Sequence, residues 1–333
     1  MSKVRVGVIG VGAFGEVHLA AYKTLHDVEI VAISDTRESR LREVAAKFDV
    51  KNCYADYKEL CARKDIDLVS VVTPEAHHLA PVLAAVGQGK HIFLEKPIAT
   101  RVKDAEQIME AAEKAGVFLM VGHILRFENN YGTMKRKIEE GKLGDIVSVH
   151  ARRNRPRKLY RTYSREHAII ENSIHDIDIC LWYTQAQVEN VRAFTRNIQG
   201  GVHPDINWCF LEFKGGAVAC LETHWLIPDV GGIGTDDSMQ IIGTKGVADL
   251  HFIPAGLNFW TEDGVEAANV TYDAWFNNQI WGAAKEEASY IVDCVRKGAA
   301  PTMIKPVEAL DALKVALACV SSAQTGRDVT LGA

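Results

Sequence analysis

The chain lacks the features that mark several protein classes. Its seven cysteines (Cys53, Cys61, Cys180, Cys209, Cys220, Cys294 and Cys319) contain no CxxC pair and are odd in number. They read as reduced, buried thiols rather than as a disulfide framework or thiolate zinc site. There is no HExxH among the twelve histidines, and the adjacent His77 and His78 are poorly spaced to ligate from one face, so no metal is expected. No apolar run approaches the roughly 18 residues of a membrane-crossing helix. The opening MSKVRVGVIG has no basic leader before an apolar core, so a secretory signal is not expected and the cytoplasm is the expected location. Neither sign of charge dominates: 38 basic and 43 acidic residues leave a net charge of −5, which argues against a general nucleic-acid or membrane-surface binder.

What is present describes a two-domain protein. The chain has 333 residues, 47% of them hydrophobic, enough for a sizeable core. Residues 1–121 alternate strand-like and helix-like segments: Val4 to Ile9, a helix over 14–25, Glu29 to Ser34, the amphipathic RESRLREVAAKFD, then Leu68 to Val72, LAPVLAAVGQG, His91 to Leu94, a helix capped by Thr100 and ending at Gly116, and VFLMVG. Continuous apolar strands in repeated β-α-β order predict a doubly wound parallel sheet.

GVGAFG follows the first strand and opens the first helix, placing Gly10, Gly12 and Gly15 in GxGxxG spacing around Ala13 and Phe14. Gly10 suits a tight turn, Gly12 a close approach to a pyrophosphate, and Gly15 close helix–strand packing. The helix N-terminus then offers amides to phosphate. Asp35, 20 residues after Gly15 at the end of the second strand, can accept bonds from a ribose 2′-hydroxyl and would repel a 2′-phosphate. The expected cofactor is therefore NAD rather than NADP, with Arg37 able to stack on adenine or reach a phosphate. Thr73 and Pro74 of TPEAHH stand at a strand's carboxyl end, where open α/β sheets bind ligands. EKP (Glu95, Lys96, Pro97) ends the next strand and points Lys96 toward the nicotinamide position.

The set VIGVGAFG, SDTR, VVTPEAHH, FLEKPIA, VGHILRF, SIHDIDI and GRDVTL, in that order over nearly the whole chain, resembles the Gfo/Idh/MocA family of sugar and cyclitol dehydrogenases. The resemblance implies an α/β fold. An N-terminal Rossmann domain over 1–121 would bind the dinucleotide, with Thr73, Pro74, His78, Glu95 and Lys96 beside it. A C-terminal α/β domain over 122–333, with a large, mostly antiparallel sheet, would bind substrate and form a homodimer or homotetramer through its outer face. It also implies a catalytic His175 with an acidic residue four positions before it, here Glu171, where the family usually has Asp.

The residues around His175 fit a helix. At about 100° per residue, Ile174, Ile177, Cys180 and Leu181 form a core stripe, and Glu171, His175, Asp178 and Trp182 an adjacent strip. Asp176 points away and completes a capping box with Ser173. His175 reads as a general base for a secondary hydroxyl, with Lys96 stabilising the developing alkoxide or relaying the proton and Glu171 assisting. The basic run 152–165, including Arg153, reads as a site for a substrate carboxylate or phosphate, or as a solvated surface. Arg126 and His123 are candidates for the mouth of the site. His224, Trp225 and YDAWFNNQIW are candidate sugar-stacking surfaces. Strands are expected at DIVSVHARR, ENVRAFTRN, INWCFLEF, AVACLETHW and SMQIIGT. The expected activity is NAD-dependent oxidation, or the reverse reduction, of a hydroxyl on a sugar, sugar acid, nucleotide sugar or inositol. An NAD-retaining glycosidase and a non-enzymatic NAD-binding regulator are the alternatives.

Overall fold

The computed structural model describes residues 3–229, 235–252, 258–261, 264–267 and 271–332. The chain divides into two compact units, residues 1–129 with 270–310, and residues 130–269 with 311–333.

The first unit holds β1 (Val4–Ile9), β2 (Val28–Ser34), β3 (Asn52–Tyr54), β4 (Leu68–Val71), β5 (His91–Glu95) and β6 (Leu119–Gly122). All pair in parallel in the order β3-β2-β1-β4-β5-β6. The strand order reverses between β1 and β4, the position at which such sheets bind ligands. The connections carry α1 (Ala13–Lys23), α2 (Glu38–Phe48), α3 (Tyr57–Cys61), α4 (Leu79–Val86) and α5 (Val102–Ala115). β4 is buried along its whole length, as expected for a parallel strand covered on both faces. The helix expected to start from a Thr100 cap starts one residue later: Arg101 precedes α5, no side-chain cap bond forms, and Arg101 pairs with Asp104 at 2.7 Å. β3 has only three residues, too few to show a period in sequence.

The expected break at 121/122 differs from the observed division, because the chain returns to the first unit. The hairpin β15 (Ala274–Phe276) and β16 (Gln279–Trp281) and the helix α9 (Ala283–Lys297) belong there. Ile280, Ala284, Ala288, Ile291 and Val292 share one apolar core with Leu19, Tyr22 and Val8. Their burial against α1 outweighs sequence distance.

The second unit is built on a seven-stranded sheet in the order β12-β11-β7-β10-β9-β8-β17. Its strands are β7 (Ile146–Asn154), β8 (Val188–Arg196), β9 (Ile206–Phe213), β10 (Val218–His224), β11 (Asp236–Gly243), β12 (Val247–His251) and β17 (Val329–Thr330), with β13 (Asn258–Thr261) and β14 (Gly264–Ala267) pairing separately. β7 and β10 run parallel; the other neighbours are antiparallel. β9 alternates strictly: Asn207, Cys209, Leu211 and Phe213 are buried, whereas Trp208 and Phe210 face outward at 36% and 42% exposure. Helices α6 (Asn129–Glu139), α7 (Arg157–Tyr163), α8 (Ile174–Thr184) and α10 (Pro306–Thr325) complete the elements. Every cysteine is a free thiol. Among the described residues, no helix is long and apolar enough to cross a membrane.

A buried ionic network ties β7, β11 and α8. Arg153 is 2% exposed and donates to both carboxylate oxygens of Asp176 (2.9 and 2.8 Å), to Asp237 (3.0 Å) and to the Tyr131 hydroxyl (3.0 Å). Arg155 also pairs with Asp237. Arg153, expected to meet a substrate anion, is bound here to the protein's own carboxylates. One sequence expectation is corrected: Asp176 is 1% exposed and pairs with Arg153 rather than capping a helix. Breaking a buried pair from one side leaves an uncompensated charge, at about 3–5 kcal/mol. Arg153→Met is therefore expected to lower unfolding free energy by about that amount in urea titration, whereas the exposed Arg157→Met changes it by less than ~0.5 kcal/mol. A substrate contact at Arg153 would instead raise KM with stability unchanged.

Candidate active site

The glycine turn of the first unit is held by contacts of different kinds. Gly10 has φ +88°, and a Cβ there would lie 2.5 Å from the Val72 carbonyl oxygen. A Cβ at Gly15 would lie 2.1 Å from the Gly10 carbonyl oxygen, so α1 can start on β1 only with glycine there. Gly12 is different: a Cβ would meet only the Arg37 guanidinium, at 3.9 Å. Packing within the chain does not require glycine at 12, so the open space is on the ligand's side. Asp35 accepts from Val11 N–H (3.1 Å), Arg37 N–H (2.9 Å) and the Arg37 side chain (3.1 Å). Burial by itself would raise its pKa, but these bonds outweigh it and hold the carboxyl below its usual range. Arg40 grips the turn from behind, donating to the Val11 carbonyl at 2.8 Å and the Gly12 carbonyl at 3.4 Å. Sequence reasoning missed Arg40, which no motif marks.

Thr73 and Pro74 follow β4 and are partly or fully exposed, as are Gly12, Ala13 and Phe14. Lys96 is partly exposed at the end of β5, and the Lys96–Pro97 bond is cis. His78 was expected at the cofactor. It is 0% exposed, and its ring nitrogens lie 2.9 Å from the Pro97 carbonyl and 3.0 Å from the Thr73 carbonyl. Burial pushes its pKa down, and the neutral ring, with a single N–H, donates to one of these two carbonyls while the loops enclose it. Glu95 is 7% exposed, and its carboxylate is likewise turned toward neighbours within the unit. Arg126 is 3% exposed and donates to the Met303 carbonyl (2.9 Å) and to Glu308 (2.8 Å), so this guanidinium braces a loop of the first unit.

In the second unit, residues 169–173 form a five-residue π-turn that leads into α8. Glu171 lies in that wider turn, so a regular helical wheel does not describe its direction relative to His175. π-turns recur at functional sites, and this one is tied down on three sides. Asn172 donates to the Arg153 carbonyl (2.8 Å), the Ser173 hydroxyl bonds that of Thr223 (3.1 Å), and Asp176 holds Arg153. From 167 to 180 every residue is buried except His175. Glu171 and Asp178 are 6% and 1% exposed. Trp225 is core, stacked on Tyr163 at 5.7 Å, while Trp275, Phe276 and Trp281 are exposed in the β15–β16 hairpin. The basic run 152–165 is the end of β7 followed by α7; Arg157, Lys158, Arg161 and Arg165 are its exposed cations. Among the described residues, no group of three His, Cys, Asp or Glu side chains is placed to hold a metal ion.

Comparison with known proteins agrees with this architecture. Residues 4–123 match the model of an oxidoreductase family with an NAD-binding Rossmann fold. Residues 131–249 match the GFO/IDH/MocA C-terminal domain. A myo-inositol 2-dehydrogenase of Thermotoga maritima is 30% identical over 250 residues, covering 73% of this chain and 74% of that one. The chain belongs to the Gfo/Idh/MocA family. A second relative, a 4-carboxy-2-hydroxymuconate-6-semialdehyde dehydrogenase of a Sphingobium species, is 32% identical over 228 residues, 66% of this chain and 71% of that one. A scyllo-inositol dehydrogenase from Lactobacillus casei, solved with NAD(H) and scyllo-inositol, shares the fold at TM-score 0.87 and 21% identity over 99% of both chains.

Like others of the Gfo/Idh/MocA family, this chain is an oxidoreductase with NAD as cofactor. Its residues fit that group: the uncapped first turn of α1 would offer amides to a pyrophosphate, the open space at Gly12 would admit it, and Asp35, just after β2, would meet a ribose. Two outcomes test this geometry. Gly12→Ala is expected to leave the melting temperature within about 2 °C while weakening NAD binding at least ~10-fold by calorimetry. Gly15→Ala, by overpacking, is expected to cost about 1–3 kcal/mol of stability.

A pH dependence comes from His167, 6% exposed, whose Nδ1 accepts the Ile169 N–H (3.2 Å) at the entry to the π-turn. Burial, with the neighbouring His203, pushes its pKa down to about 4. As pH falls from about 6.5 toward 4, the unfolded chain takes a proton that the folded chain refuses. Stability is lost over that window, by about 3 kcal/mol in all. Urea titrations across that range should show the loss, and His167→Gln, which keeps an acceptor, should flatten it.

Proposed function

We propose that this protein oxidises a secondary hydroxyl on a polyhydroxylated ring, a cyclitol or sugar, with His175 as general base. The observation that carries the reading is the burial pattern of residues 167–180, in which His175 alone is partly exposed and every other residue, the carboxylates included, is buried. An imidazole titrates near neutral pH and suits proton removal from a hydroxyl. NAD, when bound, supplies the hydride acceptor at nicotinamide C4. His175 takes the hydroxyl proton. Lys96 donates an N–H to the same oxygen and stabilises the developing alkoxide charge. Glu171 holds the imidazole or a neighbouring hydroxyl. The reading requires Lys96 and His175 to address one substrate oxygen.

The name of the Thermotoga relative supports a cyclitol, and that of the Sphingobium relative keeps acidic substrates in the test. The exposed Arg157 and Arg161, one turn apart on α7, are the cations available for a substrate carboxylate. The reading includes a homo-oligomer formed through the outer sheet face, where Phe194, Trp208, Phe210 and Val218 are exposed; a monomer mass in sedimentation would remove that part.

The deciding experiment is a panel of inositols, aldoses, uronates and nucleotide sugars with NAD, followed at the NADH absorbance. Lys96→Ala is expected to abolish turnover with NAD affinity within ~3-fold of the parent, and His175→Asn to lower kcat by about 10²–10⁴-fold. Equal loss of turnover and NAD affinity would sink the role of Lys96. Glycoside cleavage with retained NAD and no net NADH would replace the dehydrogenase reading with transient oxidation. NAD binding with no turnover of any member would favour a regulator.

A further inference from the structure

We infer that His18 and Glu95 form a buried positioning pair that sets the main chain of Lys96; the inference rests on the role proposed above for Lys96. Glu95 is the last residue of β5 and is 7% exposed. One carboxylate oxygen, Oε1, lies 2.8 Å from Nε2 of His18; the other, Oε2, accepts the backbone N–H of Lys96 at 3.2 Å. The end of β6 makes room for this carboxylate. A Cβ on Gly122 would lie 2.9 Å from Oε1, tighter than side chains tolerate.

His18 lies on α1 and is 4% exposed. Its ring stacks on Phe93 of β5, with centroids 4.6 Å apart and planes 29° apart, and meets Phe14 and Tyr22 edge-on at 5.7 and 6.4 Å. Nδ1 is buried with no hydrogen-bond partner. A proton there would be a buried donor with no acceptor, so the geometry selects the tautomer protonated on Nε2, which donates to Glu95. The Glu95 charge is then met by two directed N–H groups, one from α1 and one from Lys96 itself. On the other side of Lys96, the Pro97 carbonyl lies 2.9 Å from the buried His78 ring. The main chain is thus gripped before and after Lys96, and its side chain is left partly exposed.

Without His18, Oε1 loses its donor in a site closed to water. A buried carboxylate does not stay unpaired, so it turns or draws in solvent and its bond to Lys96 N–H goes with it. The consequence is a link between the helix whose N-terminus faces the dinucleotide and the strand end that presents the amine. His18 and Glu95 are positioning residues, acting through Lys96.

His18→Phe keeps the ring on Phe93 but removes the donor. His18→Gln restores an amide N–H near the place of Nε2. Glu95→Gln keeps the shape and loses one acceptor. Two measurements apply to the NAD-loaded protein. In the first, lysines are reductively ¹³C-methylated, and the Lys96 signal is assigned by its absence in Lys96→Ala. It is expected to move toward the exposed-lysine position in His18→Phe and Glu95→Gln and to return in His18→Gln. In the second, kcat with the panel substrate is expected to fall by ~10-fold or more in His18→Phe, about 1.4 kcal/mol. It should recover to within ~3-fold of the parent in His18→Gln, with NAD affinity and KM changed less than ~3-fold throughout. An unmoved Lys96 signal in His18→Phe overturns the inference. So does a His18→Gln variant as impaired as His18→Phe with matching loss of melting temperature, which would make the ring a packing element only. If Lys96→Ala retains turnover, the role of Lys96 fails instead, and the ¹³C signal still judges the pair.

Discussion

Arg153 is withdrawn from water and is stable there because Asp176 takes two of its N–H groups and Asp237 a third. That requirement, a partner for every buried charge, shapes the main chain beside His175. β7 contributes the guanidinium, β11 one carboxylate and the first turn of α8 the other, so three elements are bound to one register. The residue next to Asp176 is His175. Its main chain is set by neighbours that are themselves buried and paired, and His175 is the one residue of the segment left partly exposed. In the first unit the carboxylate of Glu95 plays the corresponding part beside Lys96. In both units the candidate residue adjoins a buried carboxylate that is paired within its own unit, an arrangement that would position a base or amine without rebuilding the site at each turnover.

The glycine turn follows a second constraint, contact distance. Gly15 must let the Gly10 carbonyl pass, and Gly10 must let the end of β4 approach. Only Gly12 is spared such demands by the chain. Asp35 serves the turn before it serves any ligand. It receives the Val11 N–H, while Arg40 takes the carbonyls of the same loop. A ribose hydroxyl competing for that carboxylate would meet Arg37, whose side chain is 63% exposed.

Much of this was legible beforehand. The strands of the first unit, the glycine spacing, Asp35, the position of Lys96 at a strand end and the strict alternation of β9 all follow from local patterns, because burial imposes a period wherever an element has one wet and one dry face. Less legible were the pairings across the chain. Arg153 lies in a basic run that reads as a surface, yet its partners are 23 and 84 residues away. The π-turn at 169–173 looks like ordinary helix in sequence, since one extra residue per turn leaves no mark in composition. His78 carries a motif's authority but is buried between two carbonyls.

The sequence by itself determined the two sheets, the dinucleotide turn, the family and the identities of the candidate base and amine, because local period and motif spacing are properties of a few consecutive residues. Tertiary structure alone decided which charges are spent inside. It paired Arg153 with Asp176 and Asp237, buried Glu95 and His78, and brought residues 270–310 back into the first unit. The reason is physical: the cost of burying a charge depends on what stands within hydrogen-bond reach of it, and that is fixed only when distant segments pack.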